Sequence, residues 1–305
     1  MKHFCALSAL ALSVGITNIA QHKPLERVFN ASAEERFNVV IIFRAETRSA
    51  STETVGAQTY VTPVLHVAET RLQWTARRSI KPGVSAGTAE IHEALTPVAN
   101  GCAGKNARSA GGLNLQASLE RSCATLLNTL NAHYVEDRRG LLKEFGAALL
   151  PELGETNPQL LALWLRRAIR PDTVLPDLPV QAGARNQQAF RPATLQNGQG
   201  SESTEWLEAQ GDSPALSLHV VQELQWDAPA QLSSRAIHQD LQGLESETFF
   251  TDSLSTVSLI DGSLLRASRS ATRTSSRILG AIAGLPVPPE FSSKLTVSVE
   301  IERLP

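Results

Sequence analysis

The sequence has few aromatic residues and no strong excess of charge of either sign. Phe, Trp and Tyr make up 5% of the 305 residues, and the formal net charge is −2 at pH 7. Carbohydrate-binding and base-stacking surfaces need several exposed rings, and nucleic acids or anionic membranes favour a basic surface. We therefore predict neither nucleic acid nor an anionic membrane as the main partner.

Motifs that hold common metals and cofactors are also missing. His92-Glu93 is not followed by the second histidine of H-E-x-x-H, and no C-x-x-C pair occurs. Gly104-Lys105 lacks the first glycine of a P-loop, and no Rossmann glycine pattern follows a strand signal. The sequence thus predicts no metal site and no cofactor.

Beyond its first residues, the sequence contains no apolar run close to the roughly 18 residues of a membrane span. At the N-terminus, Lys2 precedes an apolar run from Phe4 to Ile16, and small or polar residues continue to Ala20. This layout is typical of a secretory signal peptide, and the run is too short for a comfortable membrane anchor. We expect cleavage of residues 1–20 and a single soluble domain, 21–305, in the periplasm or outside the cell.

Cysteine is scarce, and cleavage would leave only Cys102 and Cys123. In an oxidising compartment two such residues are expected to form a disulfide, which would contribute roughly 3 kcal/mol through loop closure. Two free thiols, with Cys123 as a small apolar residue, are the alternative.

The clearest secondary-structure signal is a strand over residues 64–80, in which apolar and polar residues alternate. The apolar set is Ala68, Leu72, Trp74, Ala76 and Ile80, and the polar set is Glu69, Arg71, Gln73, Thr75 and Arg77. Residues 216–226 have a similar amino-acid sequence and the same alternation. His66 and His219 fall on opposite faces, however, which favours two similar strands over a repeated site. Further strands are predicted at 37–48, 88–96, 249–260, 263–274 and 294–302, with an Asp261-Gly262 hairpin.

Between residues 113 and 170 the apolar spacing fits helices rather than strands. Three helices are predicted, over 119–130, 141–150 and 159–167, and the polar stretch 184–203 is predicted to be an exposed loop. Strands followed by helices and then strands again predict an α+β fold. In it, a curved, half-barrel-like antiparallel sheet would carry the helical block on one face.

Two patterns allow functional interpretations. Gly83-Val84-Ser85-Ala86-Gly87 matches the G-x-S-x-G of serine esterases, but the alternation after it predicts a strand where that motif needs a helix, so a hairpin turn is favoured. Arg269, Arg273 and Arg277 share one strand face and form a row that could contact anions or a partner. A solvated sheet face is the alternative, and it is favoured.

The segments 56–63, 175–183 and 259–266, together with the last strand, resemble a family of uncharacterised secreted bacterial proteins. In architecture the chain is also similar to periplasmic lipoprotein carriers, and this likeness implies an apolar cavity. We therefore predict a non-enzymatic protein that binds an apolar small molecule or an envelope protein between sheet and helices. Trp74, Trp164 and Trp226 would line the site. A packed core for these residues, an envelope scaffold without a cavity, and an esterase using Ser85 are the alternatives.

Overall fold

The computed structural model describes residues 25–29, 33–55, 58–98, 132–140, 142–145, 164–165, 167–171, 173–191, 198–209, 214–229, 244–278 and 290–305. Within these residues the protein is all-β, and eleven antiparallel strands form one sheet. The strands are β1 (Ala33–Val55), β2 (Gln58–Pro82), β3 (Thr88–Pro97), β4 (Ala132–Asp137), β5 (Leu142–Phe145), β6 (Arg185–Phe190), β7 (Gln199–Glu208), β8 (Ala215–Pro229), β9 (Leu244–Ser258), β10 (Leu264–Ile278) and β11 (Glu290–Arg303).

The sheet is a meander whose two halves are joined by the first and last strands. Its order is β5-β4-β3-β2-β1-β11-β10-β9-β8-β7-β6. β1 pairs with β11 from Phe37 opposite Arg303 to Arg48 opposite Ser292. The outermost strands, β5 and β6, are consecutive along the chain.

The predicted antiparallel sheet is confirmed, and the alternation within 64–80 describes β2 well. Leu72, Trp74 and Ala76 are buried, whereas Arg71 and Arg77 are exposed. The same alternation continues on β1, where Phe37, Val39 and Ile41 are buried. The inner face of the sheet is therefore the apolar face, as the period of two requires.

The predicted α+β class, with its helical block over 113–170, is wrong for the described residues. Two segments inside that block, Ala132–Asp137 and Leu142–Phe145, are strands. Helical conformation within the described part of the block is limited to a turn containing Trp164, Leu165, Arg167 and Ala168. No helix among the described residues is long and apolar enough to cross a membrane.

The helix prediction failed because periodicity was ambiguous there. Leu142 and Phe145 are three residues apart, and a short apolar run does not separate a helix from a buried strand. In β4, Tyr134 and Glu136 both point inward and are fully buried. A glutamate on the buried face conceals the alternation that would identify the strand.

The predicted loop over 184–203 is also wrong, since β6 and much of β7 lie there. All six residues of β6 are exposed, so this edge strand has no buried face to produce an alternating pattern. On β7 the buried positions are Thr204 and Trp206, and one of them is polar. The predicted signal peptide (1–20), the first helix (119–130), Cys102 and Cys123 lie outside the described residues.

An internal segment, the described residues of 164–184, crosses the inner face of the sheet. Its apolar residues Leu165, Ile169 and Leu175 belong to the same buried cluster as side chains from β1, β2, β7, β8, β10 and β11. The backbone N–H of Leu175 donates to the carbonyl of Arg139 after β4 (2.8 Å), and that of Gly183 donates to Trp206 on β7 (2.7 Å). Because β4 and β7 lie near opposite ends of the strand order, the sheet curls around this segment.

Asp261-Gly262 lies in the hairpin between β9 and β10, as the sequence predicts, but the connection spans residues 259–263 and is longer than a two-residue turn. Gly262 has φ of +67°, a region that side-chain-bearing residues rarely adopt. A Cβ atom there would also lie 2.9 Å from the carbonyl oxygen of Glu26. The turn is thereby fixed against residues 25–29, and the backbone N–H of Val28 donates to the carbonyl of Asp261 (2.8 Å).

The carboxyl group of Asp261 should make stability depend on pH. Burial raises its pKa, but hydrogen bonds from Ser263 and Ser258 and the charge of Arg303 outweigh burial, so the pKa lies below its ordinary value of 3.8. A lowered folded-state pKa contributes stability that is present above the unfolded value and lost as pH falls through the folded value. We expect Asp261→Asn to destabilise the protein at pH 7 and much less near pH 3.

Urea unfolding of the wild type and Asp261→Asn at both pH values measures this difference. Asp177→Asn is the matched control, because the Asp177 side chain is 69% exposed. A destabilisation by Asp261→Asn that is equal at the two pH values would contradict the assignment.

Candidate ligand-binding site

A cavity of about 530 Å³ lies between the internal segment and the inner face of the sheet from β6 to β10. Its volume is within the range of small-molecule sites. Side chains of the sheet form one wall, and they include Glu202, Thr204, Leu218, Val220, Gln222, Thr251, Ser253, Ser255 and Arg269. Side chains of the internal segment and of the turn after β4 form the other, and they include Trp164, Arg167, Val174, Leu178 and Arg139.

The lining of the cavity combines apolar and polar groups. Trp164, Leu218 and Val220 provide apolar surface, and Trp164 also packs against the two neighbouring core clusters. The strands β7 and β9 place hydroxyl groups on the same wall, at Thr204, Ser253 and Ser255. A molecule bound here would meet apolar and hydrogen-bonding groups side by side on the sheet wall, since Val220 lies opposite both Thr204 and Ser253 in register.

Some of the polar side chains on the sheet wall bond to one another. The side-chain amide of Gln222 donates to Glu202 (2.5 Å), and the hydroxyl of Thr251 donates to the Gln222 carbonyl oxygen (3.5 Å). This chain of contacts runs across β7, β8 and β9, because the three residues are neighbours in register. It fixes the direction in which the Gln222 amide points.

Arg269 connects the sheet wall to the internal segment. Its side chain is buried, and Nη1 donates to the backbone carbonyls of Ala168 (2.8 Å) and Arg170 (2.7 Å). Nη2 lies 3.4 Å from the Thr173 hydroxyl. The carbonyls at the end of the helical turn thus accept hydrogen bonds from a charged donor. These bonds attach the opposite wall of the cavity to the sheet.

Arg78 of β2 holds the next residue of the same segment. It is fully buried, and its Nη1 donates to the carbonyl of Pro171 (2.8 Å). Its Nη2 donates to Glu136 (2.8 Å) and to the Tyr134 hydroxyl (3.0 Å) on β4. The Tyr134 hydroxyl in turn donates to Glu93 (3.1 Å). Two buried arginines from different strands therefore donate hydrogen bonds to the backbone carbonyls of residues 168, 170 and 171.

Glu136 and Glu35 extend this buried ionic cluster toward the N-terminal residues. Arg27 donates to the Glu136 oxygen that Arg78 leaves open. Glu35 lies 3.5 Å from Arg78 and 3.4 Å from Arg303. Charges removed from water need such pairing, because an isolated buried charge is costly.

The sequence interpretation missed this cluster. Arg78 lies on the apolar face of β2, and Glu93 lies on the apolar face of β3 between Ile91 and Leu95. The sequence signal for this cluster is a charged residue on the buried side of an otherwise regular alternation. Several such residues of opposite sign on different predicted strands would have indicated a buried ionic cluster.

The three tryptophans predicted to line a site lie in different surroundings. Trp164 lines the cavity. Trp74 and Trp226 are at most 1% exposed and belong to the buried clusters, and neither is among the described residues around the cavity.

The three arginines of the predicted row do not form one exposed row. Arg269 points inward to the internal segment, and Arg273 forms an ion pair with Glu247 (2.6 Å). Arg277 lies further along β10, opposite Glu245 and Phe291 in register, and its side chain is outside the description.

Ser85 lies in the turn between β2 and β3. The backbone N–H of Gly83 donates to the carbonyl of Thr88 (3.0 Å), and the N–H and hydroxyl of Thr88 both donate to the carbonyl of Ser85. β3 begins immediately after the turn at Thr88. A nucleophile elbow requires a helix there, so this turn does not have the backbone geometry of that motif.

Comparison of the sequence with protein-family models and with curated proteins gives no match. Among solved structures, the chain aligns with the InvG secretin domain β-barrel from the Salmonella SPI-1 injectisome at 9% identity and a TM-score of 0.16, over 90% of this chain and 63% of that one. It aligns with Pseudomonas aeruginosa OpdQ at 9% identity and a TM-score of 0.16, over 89% of this chain and 99% of that one. Similarity at this level defines neither fold nor function.

Proposed function

We propose that this is a non-enzymatic periplasmic or secreted binding protein that takes a small amphiphilic molecule into this partly open cavity. The observation that supports the proposal is the 530 Å³ space between the internal segment and the inner face of the sheet. Cavities of this size that combine apolar walls with a few convergent polar groups are typical ligand sites.

The distribution of polar groups suggests the class of ligand. An apolar body would pack against Trp164, Leu218 and Val220, because burying such surface contributes about 25 cal/mol per Å². Hydroxyl or carbonyl groups of the ligand would bond to Ser253, Ser255 or the Gln222 amide. Arg167 on the internal segment would favour an acidic head group, whereas Arg139 is paired with Asp177 at 2.8 Å.

Extraction of the purified full chain tests the proposal directly. Native mass spectrometry before and after extraction with organic solvent should show loss of a bound molecule of a few hundred daltons. The extracted protein should then bind the fluorescent probe N-phenyl-1-naphthylamine, which prefers apolar surroundings. Absence of both a co-purified molecule and probe binding would contradict the proposal and favour an envelope scaffold without a ligand.

A cavity-filling substitution locates the site. Ser253→Phe places a ring in the cavity and should lower probe affinity at least about tenfold, since a filled pocket excludes the probe or strains the core. Ser246→Phe is the matched control, because Ser246 lies on the same strand with an exposed side chain. Equal probe affinity in the two variants would show that the probe binds elsewhere.

A further inference from the structure

Three potential metal ligands meet on the outer face of the sheet at β3 and β4. His92 and His133 are directly opposite each other in the strand register. Glu90 lies two residues before His92 and therefore on the same face. One ligand atom from each of the three residues lies within 4.8 Å of the others.

The chemistry of this group fits a transition metal. Two imidazole nitrogens and one carboxylate oxygen form a ligand set used by zinc enzymes, with the fourth position open to water. Imidazole also suits Cu²⁺ and Ni²⁺, whereas Mg²⁺ and Ca²⁺ prefer oxygen ligands only. We propose that Glu90, His92 and His133 form a binding site for one divalent transition metal ion, with Zn²⁺ as the representative.

The geometry requires only side-chain adjustment. Donors about 2.0–2.1 Å from a tetrahedral zinc ion are roughly 3.3 Å from each other, so the three ligand atoms need to approach one another by at most about 1.5 Å. The two imidazole rings are now stacked, with centroids 4.2 Å apart and an interplanar angle of 25°. Both histidines are exposed, so their rotation about χ1 and χ2 disturbs no packed core.

The metal would have a structural consequence. β3 and β4 lie toward one end of the strand order, where β5 adds four residues. A shared ion would link the two strands through their side chains in addition to their backbone hydrogen bonds. The site is on the outer face, whereas the cavity is on the inner face, so metal binding does not rest on the proposed ligand function.

Calorimetric titration of the untagged full chain with Zn²⁺ tests the site, with Mg²⁺ as the ion expected not to bind. We expect one Zn²⁺ per chain. His92→Ala and His133→Ala should each weaken binding at least about 100-fold, because removal of even an indirect partner of a metal ligand costs 10- to 100-fold. Titration with Co²⁺ should produce the visible absorption of a bound ion in the wild type and not in either variant.

His219→Ala is the matched control. His219 also lies beside a carboxylate, at 2.8 Å from Asp252, but as a pair rather than a triad. Its loss should leave zinc affinity and stoichiometry unchanged. The proposal is overturned if the wild type binds no Zn²⁺, or if the His92→Ala/His133→Ala double variant, folded by circular dichroism, binds it with unchanged affinity.

Discussion

Replacing Arg78 by methionine is expected to lower the free energy of unfolding by about 3 to 5 kcal/mol, the usual cost of removing one partner of a buried ion pair. Methionine fills much of the arginine volume but carries no charge and no donors. Arg78 is fully buried, and it donates to Glu136, Tyr134 and the carbonyl of Pro171. The substitution therefore leaves a fully buried carboxylate with one cation fewer.

The neighbouring residue provides a control with the same change. Arg77 lies on the opposite face of β2, is 63% exposed, and pairs with Glu34, which is 47% exposed. Such surface pairs contribute about 0 to 1 kcal/mol, so Arg77→Met should have little effect. Urea unfolding of both variants measures the difference. The slope of the unfolding free energy against urea concentration should be the same in both, which excludes a change in the unfolded state.

A second substitution separates the electrostatic cost from lost packing. In the Arg78→Met background, Glu136→Gln removes the carboxylate charge that Arg78 neutralised, so it should be less harmful than Glu136→Gln alone. Arg27, which donates to Glu136 in the wild type, is present in both backgrounds. If the two substitutions are additive, or if Arg78→Met costs less than about 1 kcal/mol, the cluster does not stabilise the fold by charge pairing.

The strands that alternation predicts well are those whose buried face is wholly apolar. On β1 from Phe37 to Ile41, and on β2 from Leu72 to Ala76, the inner positions are aliphatic or aromatic, and the expected burial is observed. On β4 the inner positions are Tyr134 and Glu136, and on β7 one buried position is Thr204. Tyr134 and Glu136 both accept hydrogen bonds from Arg78, which is remote in sequence, and a local pattern does not reveal such a partner.

The position of the cavity depends on contacts that are remote in sequence. Arg269 on β10 holds carbonyls of residues 168 and 170, and the pairing of β1 with β11 brings the two halves of the sheet together. Periodicity indicates which face of each strand is buried, but it does not indicate which strand pairs with which. The sequence therefore does not predict the cavity wall, although it predicts Trp164 as a lining residue.

Trp74→Ala is expected to destabilise the protein by about 3 to 5 kcal/mol, the usual cost of deleting a fully buried tryptophan side chain. Trp74 is 0% exposed and lies opposite Val39 on β1 and Pro97 on β3. Its indole N–H has no hydrogen-bond acceptor among the described residues. Trp74→Phe loses no such bond and keeps an aromatic ring, so its cost should be smaller, about 1.5 kcal/mol or less.

The same residue distinguishes the two interpretations of the tryptophans. If Trp74 is part of the packed core, Trp74→Phe should reduce stability in urea and leave the affinity for N-phenyl-1-naphthylamine unchanged. Trp164→Phe should show the reverse, because Trp164 is partly buried and lines the cavity. If Trp74→Phe lowered probe affinity as much as Ser253→Phe does, the probe would reach the core around Trp74. The site would then extend beyond the present cavity.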